Sequence, residues 1–194
     1  ASDVYKRQEE CRTLKVWTDT DYAGCLRSRK STNGGVTMLG NHCLKSWSTT
    51  QAIVALSSGE AEFYGIVKGA SIGLGIQGIM LDLGSQTKLN LYTDATAARG
   101  IAMRKGLRKV RHLETNQLWI QDRVRRGDLT ITKVPGEENI ADALIKYVPR
   151  DRLVWHMDQV KQEYRSGRHH IAPQMEEGEI GGDGEEEESD VGGD

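Results

Sequence analysis

Apolar and polar residues alternate over residues 13–19 and run into Asp19 and Asp21, the period-two pattern of a half-buried strand ending in a turn. Residues 27–35 are polar and basic and read as a loop. Two short apolar runs follow, at 36–39 and 43–47, with Gly40 and Asn41 between them, and predict a hairpin. Three antiparallel strands should therefore precede any helix. Residues 57–83 place Ala61, Tyr64, Val67, Ala70, Leu74 and Leu81 at a three-to-four spacing and predict one long helix. Ser57 or Ser58 can cap its start, with Glu60 and Glu62 in the first turn, where the helix dipole favours acids. Each interior glycine costs roughly 1 kcal/mol relative to alanine. Six lie from Gly59 to Gly78, so this helix depends on packing or breaks near Gly73. Further along, the pattern predicts a strand at 88–93, a helix from 95, a helix at 113–124 closed by Gly127 and a strand at 129–134. After the Pro135-Gly136 turn it predicts a helix at 139–146. A last helix at 150–164 should carry Leu153, Val154, Met157 and Val160 on one side. This order describes an α/β domain with a mixed sheet, antiparallel first and parallel through helical crossovers later.

Four acids stand out on that scaffold: Asp19 and Asp94 at strand ends, Glu62 in the first turn of a helix, and Asp142 near the start of the last core helix. Each has an ordinary reading. Asp19 could close a turn, and Asp94 could cap the helix that follows it. Four carboxylates from separate elements cannot all be buried apart, because uncompensated charge in a core is prohibitive. Brought together, they suit hard divalent cations with oxygen ligands, above all Mg²⁺. Two such ions about 3.5–4 Å apart can activate a water and stabilise the leaving oxygen of a phosphodiester. Other signals carry less. The GxGxxG at 73–78 lies inside a helical pattern, not between a strand and a helix, so no small-molecule cofactor is expected. Asp19-Thr20-Asp21 lacks the glycine of an aspartic-protease motif and has no second copy.

Charge changes the picture. The net charge of −2 hides a basic body, because residues 173–194 contain ten acids and no Lys or Arg. Residues 1–172 hold 26 basic against 18 acidic side chains, a net of +8. Such a body suggests a polyanion partner, and the Gly- and Glu-rich tail should lack fixed structure. Arg27, Arg29 and Lys30 in the first loop, and Arg99, Arg104, Lys105, Arg108, Lys109, Arg111 and His112 beyond Asp94, are the candidates for phosphate contacts. Three cysteines without a CxxC pair argue against a disulfide framework or a zinc knuckle. With no run of eighteen apolar residues and no signal-peptide pattern, the chain reads as soluble, unsecreted and free of membrane. Residues 1–8 read as an adapter-encoded remnant, and the chain as a piece of something longer.

Taken together, TDTDYAGC (18–25), RKSTNGG (29–35), SWSTTQ (46–51), ALSSGEAEFYG (55–65), LYTDATAA (91–98), RHLETNQLWI (111–120) and GDLTITKVPGEENIADALIK (127–146) resemble the ribonuclease H domain at the C-terminal end of a copia-type (Pseudoviridae-like) retrotransposon Pol polyprotein. The resemblance covers roughly residues 13–148. It implies a ribonuclease H-like fold: a mixed five-stranded sheet, three antiparallel strands then parallel ones, with helices on both faces. It implies an endonuclease that hydrolyses the RNA strand of RNA–DNA hybrids during reverse transcription. Two Mg²⁺ ions would serve it, with Mn²⁺ a possible substitute, and Asp19, Glu62, Asp94 and Asp142 would be the metal-binding, catalytic acids. A reverse transcriptase domain would precede it in the parent polyprotein, and the setting would be intracellular, in a cytoplasmic virus-like particle. The alternative is an inactive relic that only binds hybrid or packs on a reverse transcriptase. Expected boundaries are 1–12 for linker or non-native residues, 13–148 for the domain, 149–170 for a helical extension or linker, and 171–194 for the acidic tail. Three departures from the family pattern stand out. The loop at 134–139 is short and has no His, Gly65 replaces the usual Ala, and Ile145 replaces the usual Thr.

Overall fold

The computed structural model describes residues 12–104 and 118–163. These belong to the first of two compact units, Ala1–Glu163 and Tyr164–Asp194. The expectations for residues 1–11, for the acidic tail, and for Lys105, Arg108, Lys109, Arg111 and His112 lie outside the described residues.

Strand β1 (Thr13–Asp21) pairs antiparallel with β2 (Thr32–Leu39), and β2 pairs antiparallel with β3 (His42–Thr50). On its other side β1 pairs in parallel with β4 (Lys88–Thr93), which pairs in parallel with β5 (Leu129–Lys133). The sheet order is β3-β2-β1-β4-β5, the mixed five-stranded arrangement of the ribonuclease H-like fold. β1 sits at the centre. Leu14, Val16 and Thr18 face helix α1 (Ser58–Asp82), while Trp17 stacks on Tyr92 across the opposite face, with ring centres 4.9 Å apart.

Two cores result. Leu14, Val16, Phe63, Ile66, Leu89, Leu91, Ile120 and Leu129 join the sheet to α1, α2 (Thr96–Met103) and α3 (Trp119–Arg126). On the other face Val36, Met38, Ile140 and Val160 form a smaller core under the segment leading to α4 (Arg150–Gln159). Helical structure therefore covers both faces.

The long helix is unbroken despite its glycines, and its N-cap is Ser57, whose hydroxyl accepts from Glu60 N–H. Gly65, Gly69 and Gly73 lie at four-residue spacing against the sheet. A Cβ at Gly69 would stand 2.3 Å from Thr18 Cγ2, and one at Gly73 would stand 2.7 Å from Leu89 Cδ1. The glycines that cost helix propensity are the ones that let α1 lie flat on β1 and β4. By length and hydropathy α1 would also suit a bilayer, but here Phe63, Ile66 and Ala70 are buried in the core.

Several expectations need correction. β1 continues through Asp21, so Asp19 lies within the strand and not after it. β2 begins at Thr32 and takes in Gly34 and Gly35, read above as loop, because a Cβ at Gly34 would meet Ile145 and one at Gly35 would meet the Trp47 ring. Glu62 falls in the second turn of α1 and not the first. Residues 139–146 do not form an α-helix. They pass through short 3-10 turns at Gly136–Glu138 and Asp142–Leu144. In α4, Leu153 and Val154 are exposed while His156 and Val160 are buried, so the expected apolar side is not the one that packs.

Candidate active site

Asp19 is held by the central strand and is only 6 % exposed. Its Oδ1 accepts from Thr20 N–H at 2.8 Å, which fixes the carboxylate against its own backbone. Asp21, two residues on, turns away, its Oδ2 folded against Gly24 where a Cβ would be only 1.6 Å off. Asp94 follows β4 directly. It does not cap α2, because the N-cap is Ala95, whose N–H is taken by the Thr93 hydroxyl at 3.2 Å. The ordinary reading of Asp94 as a helix cap is thereby removed. The turn after β5 leaves room for it, since a Cβ at Gly136 would sit 3.2 Å from Asp94 Oδ2.

The two glutamates of α1 separate cleanly. Glu60 is 3 % exposed and accepts from the Tyr64 hydroxyl and from Leu56 N–H, both at 2.8 Å, a box that closes the helix start. Glu62 faces the acids. Asp19, Glu62 and Asp94 each offer a carboxylate oxygen within 4.8 Å of the others.

Asp142 comes in from the far side. Parallel pairing of β1 with β4 ends at Trp17 and Tyr92, which leaves the Thr18 carbonyl to accept from the fully buried Asn139 side chain at 3.0 Å. Asn139 Oδ1 in turn accepts from Ala141 N–H at 3.2 Å. This staple sets the 3-10 turn that carries Asp142. Asp142 stands near enough to Asp19 to raise its carboxyl, and Lys146 Nζ stands 2.5 Å from Asp142 Oδ1.

The electrostatics follow from crowding. Burial, and then the Asp94 charge, push the Asp19 carboxyl from 3.8 up to about 7, with Asp142 adding to the rise and the Thr20 N–H opposing it. Burial, then the charges of Asp19 and Asp94, raise Glu62 from 4.5 to about 8, against a smaller opposing pull from Lys146. Oxygen donors that repel one another at close range are what a hard divalent cation relieves, so this group can hold one.

Behind the acids lies a neutral network that the sequence patterns did not point to. Thr20 Oγ1 donates to Asn33 Oδ1 at 3.2 Å, and Gln51 Nε2 donates both to Asn33 Oδ1 at 2.6 Å and to the Ala61 carbonyl at 2.9 Å. It ties β1, β2, the end of β3 and α1 together one residue from Asp19. Asn139, Asn33 and Gln51 all stand in the quoted motifs, but neutral amides carry no charge pattern to mark them. The basic candidates are dispersed. Arg27 and Arg29 are exposed and Lys30 half-buried in the turn after β1. Arg99 is not free for phosphate alone, because its Nε donates to the Ile131 carbonyl at 3.1 Å. Arg104 has Nε and Nη2 buried and without a partner among the described residues.

Fold and site define a ribonuclease H-like α/β domain with converging acids at the centre of its sheet. Its sequence relatives are retrovirus-related Pol polyproteins of plant transposons. It is 29 % identical over 142 residues to the one from transposon TNT 1-94 of Nicotiana tabacum, covering 72 % of this chain and 11 % of that protein. It is 26 % identical over 150 residues to the one from transposon RE2 of Arabidopsis thaliana, covering 76 % and 10 %. The chain thus spans about a tenth of these relatives. No family model matches. Similar solved structures include LC11-RNase H1, isolated from compost, with TM-score 0.48 and 16 % identity over 69 % of this chain and 93 % of that one. Another is the RNase H domain of Rv2228c from Mycobacterium tuberculosis, with TM-score 0.46 and 17 % identity over 75 % and 96 %.

Proposed function

We propose that this domain is a retrotransposon ribonuclease H that hydrolyses the RNA strand of RNA–DNA hybrids during reverse transcription. The observation that carries the reading is the meeting of Asp19, Glu62 and Asp94 within 4.8 Å. These four would hold two Mg²⁺, with Mn²⁺ an acceptable substitute. Bound there, the ions would supply a nucleophilic water and steady the departing 3′ oxygen. The protein's part is positioning. β1 and the Thr20 N–H fix Asp19, the Glu60 box fixes the turn that presents Glu62, and the Asn139 staple brings Asp142 against Asp19. Arg27, Arg29 and Lys30 on the exposed turn, with Arg99 and Arg104 near α2, would bind backbone phosphates, which makes binding salt-dependent. RNA would be told from DNA by its 2′-hydroxyls in the shallow minor groove. In the parent polyprotein we expect a reverse transcriptase domain upstream.

The test is a gel assay on an end-labelled RNA–DNA hybrid, with Mg²⁺ and with chelator. Cleavage of the RNA strand that needs Mg²⁺ and disappears in Asp94→Asn is the expected result. Hybrid binding without cleavage at any Mg²⁺ or Mn²⁺ concentration would reduce the domain to a binding module.

A further inference from the structure

We propose that Lys146 is a tethered cation of the acidic site, which holds Asp142 and competes there with a divalent ion. This rests on reading the acids as a metal site. Its ammonium is 2.5 Å from Asp142 Oδ1. The two ends of the pair differ in exposure, with the Asp142 side chain 15 % and the Lys146 side chain 57 % exposed. The carboxylate is therefore fixed in the site, while the lysine reaches it from outside on a flexible stem. The stem starts from a defined point. Ile145 packs so closely on Gly34 that a Cβ there would lie 2.5 Å from its Cγ2, and Leu144 and Ala141 close the same contact. Lys146 thus follows a residue clamped to β2, four positions after Asp142. Its charge also reaches Asp19, Asp94 and Glu62.

A lysine ammonium is a compact point charge with three rotatable donors. A hard divalent cation draws on the same carboxylate lone pairs. Whether the two share Oδ1 or take opposite oxygens of Asp142, their charges repel, so loading of the Asp142 side carries the cost of that repulsion or of moving Lys146 away. Loading of Asp19, Glu62 and Asp94 carries less of that cost, because Lys146 contacts Asp142 directly and reaches the others only through space. Lys146 therefore sets the metal concentration at which the fourth acid joins the site.

The experiment is Mn²⁺ binding to the full chain, measured by titration calorimetry and by the Mn²⁺-induced rise in melting temperature. Lys146→Met keeps the stem and removes the charge. It should lower the half-saturating Mn²⁺ concentration roughly two- to five-fold, the range that the free energy of a partly exposed ion pair converts to. Lys146→Arg should bind like the parent. In an Asp142→Asn background, Lys146→Met should have a clearly smaller effect, because the directly paired carboxylate is gone. Unchanged or weaker Mn²⁺ binding by Lys146→Met overturns the inference. Asp19→Asn separates the two levels. If it loses Mn²⁺ while Lys146→Met matches the parent, only the role of Lys146 fails. If Asp19→Asn binds Mn²⁺ like the parent, the metal-site reading fails with it.

Discussion

Glu60 and Glu62 stand two positions apart and are bonded in opposite ways. Glu60 has its oxygens taken by Tyr64 and Leu56, whereas Glu62 has Asp19 and Asp94 as neighbours. Glu62→Gln should lower hybrid cleavage on the order of 100-fold or more, the scale of removing a charged group from a preorganised site. Glu60→Gln should keep cleavage and lose about 1 kcal/mol of stability, the usual worth of a hydrogen bond. Equal loss of cleavage in both variants would mean the wrong acid had been assigned. The raised carboxyls give a pH signature with a definite sign. Asp19 and Glu62 titrate near 7 and 8 in the folded chain against 3.8 and 4.5 ordinarily, so between about pH 4 and pH 8 the folded state holds more protons than the unfolded one. Their contribution to stability is complete below pH 4 and is lost as pH rises through 7 to 8. In chelator the melting temperature should therefore fall over that window, less steeply in Glu62→Gln. Added Mg²⁺ should restore it more at pH 8 than at pH 5. A chelator melting curve that climbs across this window would contradict the crowding described for these acids.

The helix α1 shows what periodicity can and cannot reveal about an element. Its limits were legible: 57–83 from the pattern against Ser58–Asp82 in the structure, with Ser57 as the cap. Whether the glycines would break it was not legible, because the answer depends on Thr18 and Leu89, which lie far away in sequence. The same glycines give a paired prediction. Nothing lies within 4 Å of a Cβ at Gly75 or Gly78, so alanine there should stabilise by about 0.5–1 kcal/mol each through helix propensity. Gly69→Ala should destabilise by roughly 1–3 kcal/mol, because Thr18 has no room to yield under a packed helix. Denaturant midpoints of the three variants decide it, and stabilisation by Gly69→Ala would mean the helix stands further off the sheet. The segment at 139–146 failed as an element for a related reason. Its helical spacing is real, but the bond from Asn139 to the Thr18 carbonyl fixes the backbone in 3-10 turns, and a contact 121 residues apart leaves no local mark.

At the scale of the whole molecule, the element order and the mixed sheet, antiparallel first and parallel later, were readable from local period and chain connectivity, while the strand order was not. The meeting of Asp19, Glu62 and Asp94 was readable as an inference that lone buried charges are untenable, and as what the family resemblance implied. The contacts of Asn139 and Gln51 were not readable, since nothing local shows which neutral side chain a distant strand will meet. Charge, by contrast, is written directly in the chain, and the last prediction rests on it. Ten acids after residue 172 are covalently joined to a body of net +8, and a shared chain raises the effective concentration of one charge set for the other. The acids should compete with the phosphates of a hybrid for the body's basic side chains. Salt should abolish the competition, because exposed charges lose their reach beyond about 8 Å at physiological ionic strength and less than that at higher salt. A chain ending at Ala172 should therefore bind an RNA–DNA hybrid more tightly than the full chain at low salt and about equally near 0.5 M. Fluorescence anisotropy on a labelled hybrid in chelator reads this without cleavage. Coincident binding curves at low salt would leave the tail as a passive, solubilising segment.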